Sequence, residues 1–215
     1  MSFSTYWSYY GADVLRQLGQ HYVIVALAGL LGSIIGISTG VAVYRAPRAS
    51  QIVLRVCGVL LTVPSLALYV LLLSVLGLGW PPVLTALTLY SLLPIVQNTV
   101  VGLRGVDSST VEAATGIGMS RARCVARVEL PMAWPIILTG MRTSVLLLVS
   151  TATIGAIVRG PGLGNSIYEG LNRIGTSSAL YAALTGIAGV VIVGVTLNFA
   201  FMFIARLTIS RGIRD

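Results

Sequence analysis

The stretch Glu112-Ala113-Ala114-Thr115-Gly116-Ile117-Gly118-Met119-Ser120, continued by Arg121-Ala122-Arg123-Cys124-Val125-Ala126-Arg127-Val128-Glu129-Leu130-Pro131, forms a polar island between long apolar runs. Ser109, followed three residues later by Glu112, has the capping-box pattern and predicts a short helix starting near Thr110. Ala113 and Ala114 carry small side chains, so another surface can come close to their backbone. Gly116 and Gly118 end this helix, because glycine accepts left-handed backbone angles. Ser120 is placed to cap a second helix bearing Arg121, Arg123 and Arg127. Leu130-Pro131 then turns the chain into the next apolar run, with proline tolerated in a first helical turn.

The surroundings fix what this island lies between. The chain has 215 residues, is 56% hydrophobic and only 9% charged, and has a mean hydropathy of +0.92. A soluble domain carries about 25% charged residues. The composition is therefore that of a polytopic membrane protein, with lipid and neighbouring helices in place of a water-excluding core.

Gln17 to Tyr44 has no charged residue and exceeds the ~20 residues needed to cross the hydrocarbon. It predicts a first spanning helix near 21–44, after an N-terminal segment 1–20. The uncharged run Val56 to Leu103 is long enough for two spans and breaks at Gly77-Leu78-Gly79-Trp80-Pro81-Pro82. Helices are expected near 52–76 and 82–103, a fourth near 132–157 and a fifth near 178–206. The fold class is thus all-α, with about five transmembrane helices in a domain 21–206, a polar loop 104–131 and a tail 207–215.

The net charge of +8 comes from fourteen arginines and six acids. Arg45, Arg48, Arg55, Arg104, Arg121, Arg123, Arg127, Arg206, Arg211 and Arg214 flank one side of the spans, and Arg16, Arg159 and Arg173 the other. The positive-inside rule puts the polar loop and the C-terminus in the cytoplasm and the N-terminus outside. A basic balance distributed this way serves topology and implies no nucleic acid. Tyr6, Trp7, Tyr9, Tyr10 and Trp80 read as an outer interfacial belt. Arg142 falls inside the fourth span, where a charge costs several kcal/mol; it either pairs structurally or faces a path or partner. No cleavable secretory signal is evident in Met1–Gln20. Cys57 and Cys124 lie far apart in different settings and read as unpaired thiols, and with one histidine, His21, they make no metal site.

The island resembles the cytoplasmic "EAA" loop of ABC importer permeases, E-A-A-x3-G-x9-I-x-L-P, departing from it at Val128. Outside the loop, Thr62-Val63-Pro64-Ser65-Leu66-Ala67-Leu68 looks like the "T-x-P-S-L-A-L" segment of one subfamily. Leu89-Tyr90-Ser91-Leu92-Leu93-Pro94-Ile95-Val96-Gln97-Asn98-Thr99 looks like its "Y-x-L-L-P-I-x-x-N-T" segment. Gly140-Met141-Arg142-Thr143 resembles its "G-x-R-T", and Gly160-Pro161-Gly162-Leu163-Gly164 its "G-x-G-L-G" turn. That subfamily is the permease subunit of glycine betaine/carnitine/choline/proline osmoprotectant importers, and the resemblance covers about residues 20–205.

The resemblance implies a type I (MetI-like) transmembrane domain, paired with a second permease subunit as a homo- or heterodimer. It implies two ABC ATPase subunits below, an extracytoplasmic substrate-binding protein on a separate chain, and placement in the cell inner membrane. It implies no cofactor on this chain, with ATP and Mg on the partner ATPase, and no catalysis by this chain. Glu112, Ala113, Ala114, Gly118, Leu130 and Pro131 are then the ATPase-coupling residues, a rigid lever between two spans. Ser65, Tyr69, Tyr90, Asn98 and Arg142 are candidates for the translocation path. For the polar residues inside the spans, bonding between helices is an equally good reading. Tyrosine faces suit a quaternary ammonium.

Other classes fit less well. The Gly160–Gly164 run lacks the Lys-Ser/Thr of a phosphate loop and reads as a tight turn opening an external segment with Tyr168, Glu169, Asn172 and Arg173. An intramembrane enzyme would need a paired acid or a nucleophile elbow. An ion-coupled transporter would usually place acids inside the spans, whereas Asp107, Glu112 and Glu129 lie in the loop. Methionine, phosphonate or taurine importers share the loop and are the runner-up.

Overall fold

The computed structural model describes residues 2–209, and these form helices with no strand among them. Helix α1 (Phe3–Val43) is capped by Ser2, whose hydroxyl accepts from the Thr5 N–H at 3.3 Å. Its 41 residues make a rod about 60 Å long, twice the ~30 Å hydrocarbon thickness. The expected start at residue 21 is therefore corrected to Phe3. No proline precedes Pro47, so nothing stops the helix running back through the polar, aromatic segment. Part of the expected aromatic belt is packed instead: Tyr6 is buried and stacks on Tyr10 at 5.1 Å between ring centroids.

The helix expected over 52–76 is two helices, α2 (Pro47–Thr62) and α3 (Ser65–Leu76), with axes bent by 95°. Pro64 supplies the cause. It cannot donate a backbone hydrogen bond, and it forces the preceding Val63 into extended backbone, φ −63° and ψ 127°. The Val63 carbonyl left over by the break accepts from the Tyr90 hydroxyl at 2.9 Å.

Gly77 (φ +76°) and Gly79 (φ +99°) make the turn into α4 (Trp80–Arg104). After α5 (Ser108–Gly116) and the single turn α6 (Arg121–Cys124), the helix runs on through a π turn, Val125–Glu129, into α7 (Leu130–Ile154). Pro131 was expected to mark a change of direction, but Arg121–Val158 is one rod. The π turn explains this: the Leu130 N–H bonds the Val125 carbonyl, five residues back, and the wider turn accommodates a proline that has no N–H to give. A 3-10 turn, Gly155–Val158, ends the rod, followed by α8 (Gly164–Asn172) and α9 (Ser177–Thr208).

Among the described residues, four helices, or rods, are long and apolar enough to cross a membrane; the bent pair α2–α3 makes five if counted as one crossing. Lipid tails are as apolar as leucine, so helices associate through close approach of small residues. Gly32, Gly36 and Gly40 of α1 face Ser91, Ile95 and Thr99 of α4, four residues apart on both helices. A Cβ on Gly36 would lie 2.8 Å from Ile95 Cγ2, and one on Gly40 would lie 2.6 Å from Thr99 Cβ. Gly140 brings α7 equally close to Asn98 and the Pro94 carbonyl of α4. At the end remote from the polar loop, the Gly79 N–H bonds the Val158 carbonyl at 2.9 Å, fastening α4 to the far end of the rod.

Candidate functional site

Asp107, rather than Ser109, caps α5. Its carboxylate accepts from the Ser109 N–H at 3.0 Å and from the Ser109 hydroxyl at 3.0 Å, so the helix begins at Ser108. The carboxylate is the better acceptor for unpaired N–H groups at a helix start, and Ser109 serves it as donor. At the other end, the Gly118 N–H bonds the Thr115 carbonyl at 2.9 Å and the Met119 N–H bonds the Ala114 carbonyl at 3.1 Å. Those paired bonds are a Schellman motif, and Gly118 holds its left-handed position at φ +83°.

Glu112 and Ala113 are exposed on α5, whereas Ala114 is buried and anchors the helix. Ile117 at the loop tip is 80% exposed, an apolar side chain with nothing of its own subunit over it. Sequence reading passed over Ile117; its one signal was an apolar residue between two helix-ending glycines. Leu130 and Pro131 do not join this tip. They line a recess of about 370 Å³ at the loop's base with Ile37, Ala126, Trp134 and Thr208.

A cluster not anticipated from sequence holds the loop. Glu129, 2% exposed, accepts from the Tyr44 hydroxyl at 2.8 Å and from Arg45 at 2.5 Å. Arg104, at the loop's other end, donates through Nε to the Tyr44 carbonyl at 2.6 Å and through Nη2 to the Ser50 hydroxyl at 2.7 Å. Both ends of the loop are thereby fixed to the corner between α1 and α2. Burial, and then the Glu129 carboxylate, push the Tyr44 phenol above its ordinary pKa and keep it a donor. The Tyr44–Arg45 pair, Arg104 and Glu129 lie far apart in the sequence, and no short motif joins them.

The five path candidates separate. Ser65 and Tyr90 meet in a recess of about 280 Å³, shared with Thr62, Pro64, Leu147 and Thr151. Tyr69 is wholly buried behind it, its hydroxyl donating to the Thr151 carbonyl at 3.1 Å. Asn98 is half-buried between α4 and α7 and donates to the Pro94 carbonyl at 2.8 Å. Arg142 is exposed on another side of α7, and its Nε donates to the side-chain Oδ1 of Asn198 on α9 at 2.8 Å. The exposed face of α7 carries Thr139, Thr143 and Ser150, each donating to a carbonyl of its own helix.

The Gly160–Gly164 run is buried throughout and not a solvated turn. Gly162 (φ +111°) lies against His21, and a Cβ there would be 2.7 Å from His21 Nδ1. His21 in turn bonds the Val149 carbonyl through Nε2 at 3.0 Å, and Gln17 Oε1 accepts from Ser166. The run knits α1 to α7 and α8. Beyond it, Tyr168 is exposed and Glu169 pairs with Arg173 at 2.6 Å. Arg211 and Arg214 lie outside the described residues.

Comparison with known proteins agrees with this geometry. Residues 32–212 match the family model described as binding-protein-dependent transport system inner membrane component. The chain is 38% identical over 162 residues to the choline transport system permease protein OpuBB of Bacillus subtilis, covering 75% of each chain. It is 38% identical over 162 residues to the glycine betaine/carnitine/choline transport system permease protein OpuCB of the same organism, again covering 75% of each. Its fold superposes on a chain of the inward-facing MetNI methionine ABC transporter with a TM-score of 0.80 at 21% identity, covering 92% of this chain and 96% of that one. The polar loop between packed apolar rods, the glycine-mediated contacts and these matches have one reading: the chain belongs to the family of inner-membrane components of binding-protein-dependent transport systems, as a multi-pass permease of the MetI-like fold.

Proposed function

We propose that this permease carries a small quaternary-ammonium or zwitterionic compatible solute (glycine betaine, choline, carnitine or proline) inward across the cell membrane, driven by ATP hydrolysis in partner subunits. The observation that carries the substrate class is the 38% identity to permeases named for choline and for glycine betaine/carnitine/choline transport. ATP and Mg belong to an ABC ATPase that docks on the α5 tip, where Glu112, Ala113 and Ile117 are exposed and Gly118 fixes the turn. Ala114, Leu130 and Pro131 root that tip in the membrane helices. A second permease subunit completes the pathway, and an extracytoplasmic binding protein delivers the solute.

The reading places the loop and C-terminus in the cytoplasm and the start of α1 outside. Its support is the arginine distribution: Arg45, Arg104, Arg121, Arg123 and Arg127 gather at the loop end, and Arg159 and Arg173 at the other. The solute path follows the exposed face of α7 past Ser65, Tyr90 and Arg142, with Tyr69 and Asn98 behind it as supports.

The test is uptake of labelled glycine betaine into proteoliposomes holding the permease, its ATPase and its binding protein, with choline, carnitine, proline and methionine as competitors. ATP-dependent uptake competed by the quaternary amines supports the reading. Competition by methionine alone discards the substrate class, and uptake indifferent to ATP discards the drive. Gly118→Asp and Glu112→Lys should each abolish uptake while membrane insertion persists; normal uptake in both would sink the assignment of the loop.

A further inference from the structure

Arg142 is the one charged residue between Pro131 and Val158. It lies 12 residues into α7 from Leu130, about 18 Å along the rod. A guanidinium at that depth is costly unless it has partners. Asn198 satisfies Nε alone; among the described residues neither terminal nitrogen makes a hydrogen bond, and the side chain is exposed. Such a group is either an expense of the fold or is kept to meet an anion.

The surroundings favour an anion. Arg142 opens onto a recess of about 210 Å³ between α7 and α9, lined also by Pro135, Leu138, Thr139, Phe201 and Arg206. This is below the roughly 300 Å³ at which pockets for drug-sized ligands begin, and suits a solute of few heavy atoms. Thr139, Thr143 and Ser150 spend their hydroxyl hydrogens on carbonyls of their own helix and so present oxygen lone pairs outward. A quaternary ammonium accepts no hydrogen bond and is content with lone pairs and an aromatic ring. A carboxylate needs donors, and on this stretch of α7 Arg142 supplies them.

We propose that Arg142 receives the carboxylate of a zwitterionic solute in the α7–α9 recess while the Phe201 ring faces its trimethylammonium group, so that Arg142 separates carboxylate-bearing from carboxylate-free quaternary amines during translocation. This rests on the substrate class proposed above. An anionic lipid headgroup offers the same chemistry, but headgroups sit at the membrane surface and Arg142 lies more than three turns inside α7.

The experiment is uptake at saturating, solute-loaded binding protein, where transfer rather than capture sets the rate, with glycine betaine and choline compared in wild type, Arg142→Gln and Arg142→Lys. The expected result in Arg142→Gln is about a tenfold or greater loss for glycine betaine with choline within about twofold of wild type. Arg142→Lys recovers glycine betaine in part, because it restores the charge. Phe201→Leu slows both solutes. Equal loss of both solutes in Arg142→Gln, with Lys no better than Gln, makes the residue structural and overturns the proposal, as does an unchanged rate. Where wild type carries no choline, the Lys-against-Gln difference on glycine betaine decides alone. An Arg142→Gln defect that vanishes in vesicles of purely zwitterionic lipid assigns the anion to lipid and overturns it too. Wild type carrying neither solute defeats the substrate class itself, and with it this inference.

Discussion

The Tyr44 hydroxyl donates to the Glu129 carboxylate at 2.8 Å, joining the end of α1 to the π turn 85 residues further along the chain. Arg104 reaches the same Tyr44 through its carbonyl. The loop between Arg104 and Glu129 is thus a closed handle whose two roots share one anchor. Tyr44→Phe removes one bond and leaves Glu129 with Arg45; it should cost about 1–2 kcal/mol. Glu129→Ala removes the acceptor of both Tyr44 and Arg45 and should cost more. Thermal unfolding of the detergent-purified permease checks the order, and ATP-dependent uptake should fall in the same order. Identical melting in both variants would show that the handle is not held there.

The α1–α4 seam predicts a graded series. Gly40→Val forces a branched side chain into Thr99 and should destabilise by about 1–3 kcal/mol, with loss of folded protein. Thr99→Ala should recover part of that loss, since the two sites are in contact and their effects are not additive. Gly58→Ala is the control: nothing lies within 4 Å of its added methyl, and helix propensity gains up to about 1 kcal/mol. A Gly40→Val variant that melts like wild type would refute the seam.

Two glycines of the loop separate flexibility from conformation. Gly116 is helical with open space around it, so Gly116→Ala should be neutral or slightly stabilising. Gly118 also has open space, but at φ +83° an alanine is strained by about 1–2 kcal/mol whatever the room. Uptake should survive the first change and fall in the second. The check is the pair of rates at matched expression, and equal rates would mean that the turn tolerates either residue.

Pro131→Ala tests the π turn. Supplying an N–H lets the helix close to ordinary α geometry, which removes the wide turn and rotates α6 about the rod axis relative to α7. Insertion and melting should stay near wild type, while ATP-dependent uptake drops. Unchanged uptake would mean that the rotational setting of α6 is immaterial.

The sequence disclosed some parts of this molecule more fully than others, for physical reasons. Charge-free runs gave the spans because bilayer thickness imposes a length, and the Glu112–Pro131 spacing gave the family because its contacts are local. The sequence puts Pro64 inside a single helix, and the 95° bend there leaves a loose Val63 carbonyl that is satisfied only because the distant Tyr90 hydroxyl is placed to donate to it. The start of α1 was missed because polar and aromatic residues are poor evidence against a helix once tertiary contacts such as Tyr6 with Tyr181 support it. Pro131 was misread as a corner because a π turn leaves no sequence signature of its own. The Tyr44, Arg45, Arg104 and Glu129 cluster and the His21–Gly162 contact were invisible because each depends on distant residues meeting.

The bond from Gly79 to Val158 has a mechanical consequence. Helix α4 is fastened to the rod Arg121–Val158 at that end and, through Tyr44, Arg104 and Glu129, at the other. Two beams riveted at both ends form a panel, which resists shear and turns as a whole. Displacement applied at the loop then reappears at the far rim undiminished, about 55 Å away along the rod. Outside the panel, the Tyr90 bond to Val63 at the Pro64 elbow and the Arg142 bond to Asn198 on α9 tie the neighbouring helices to it.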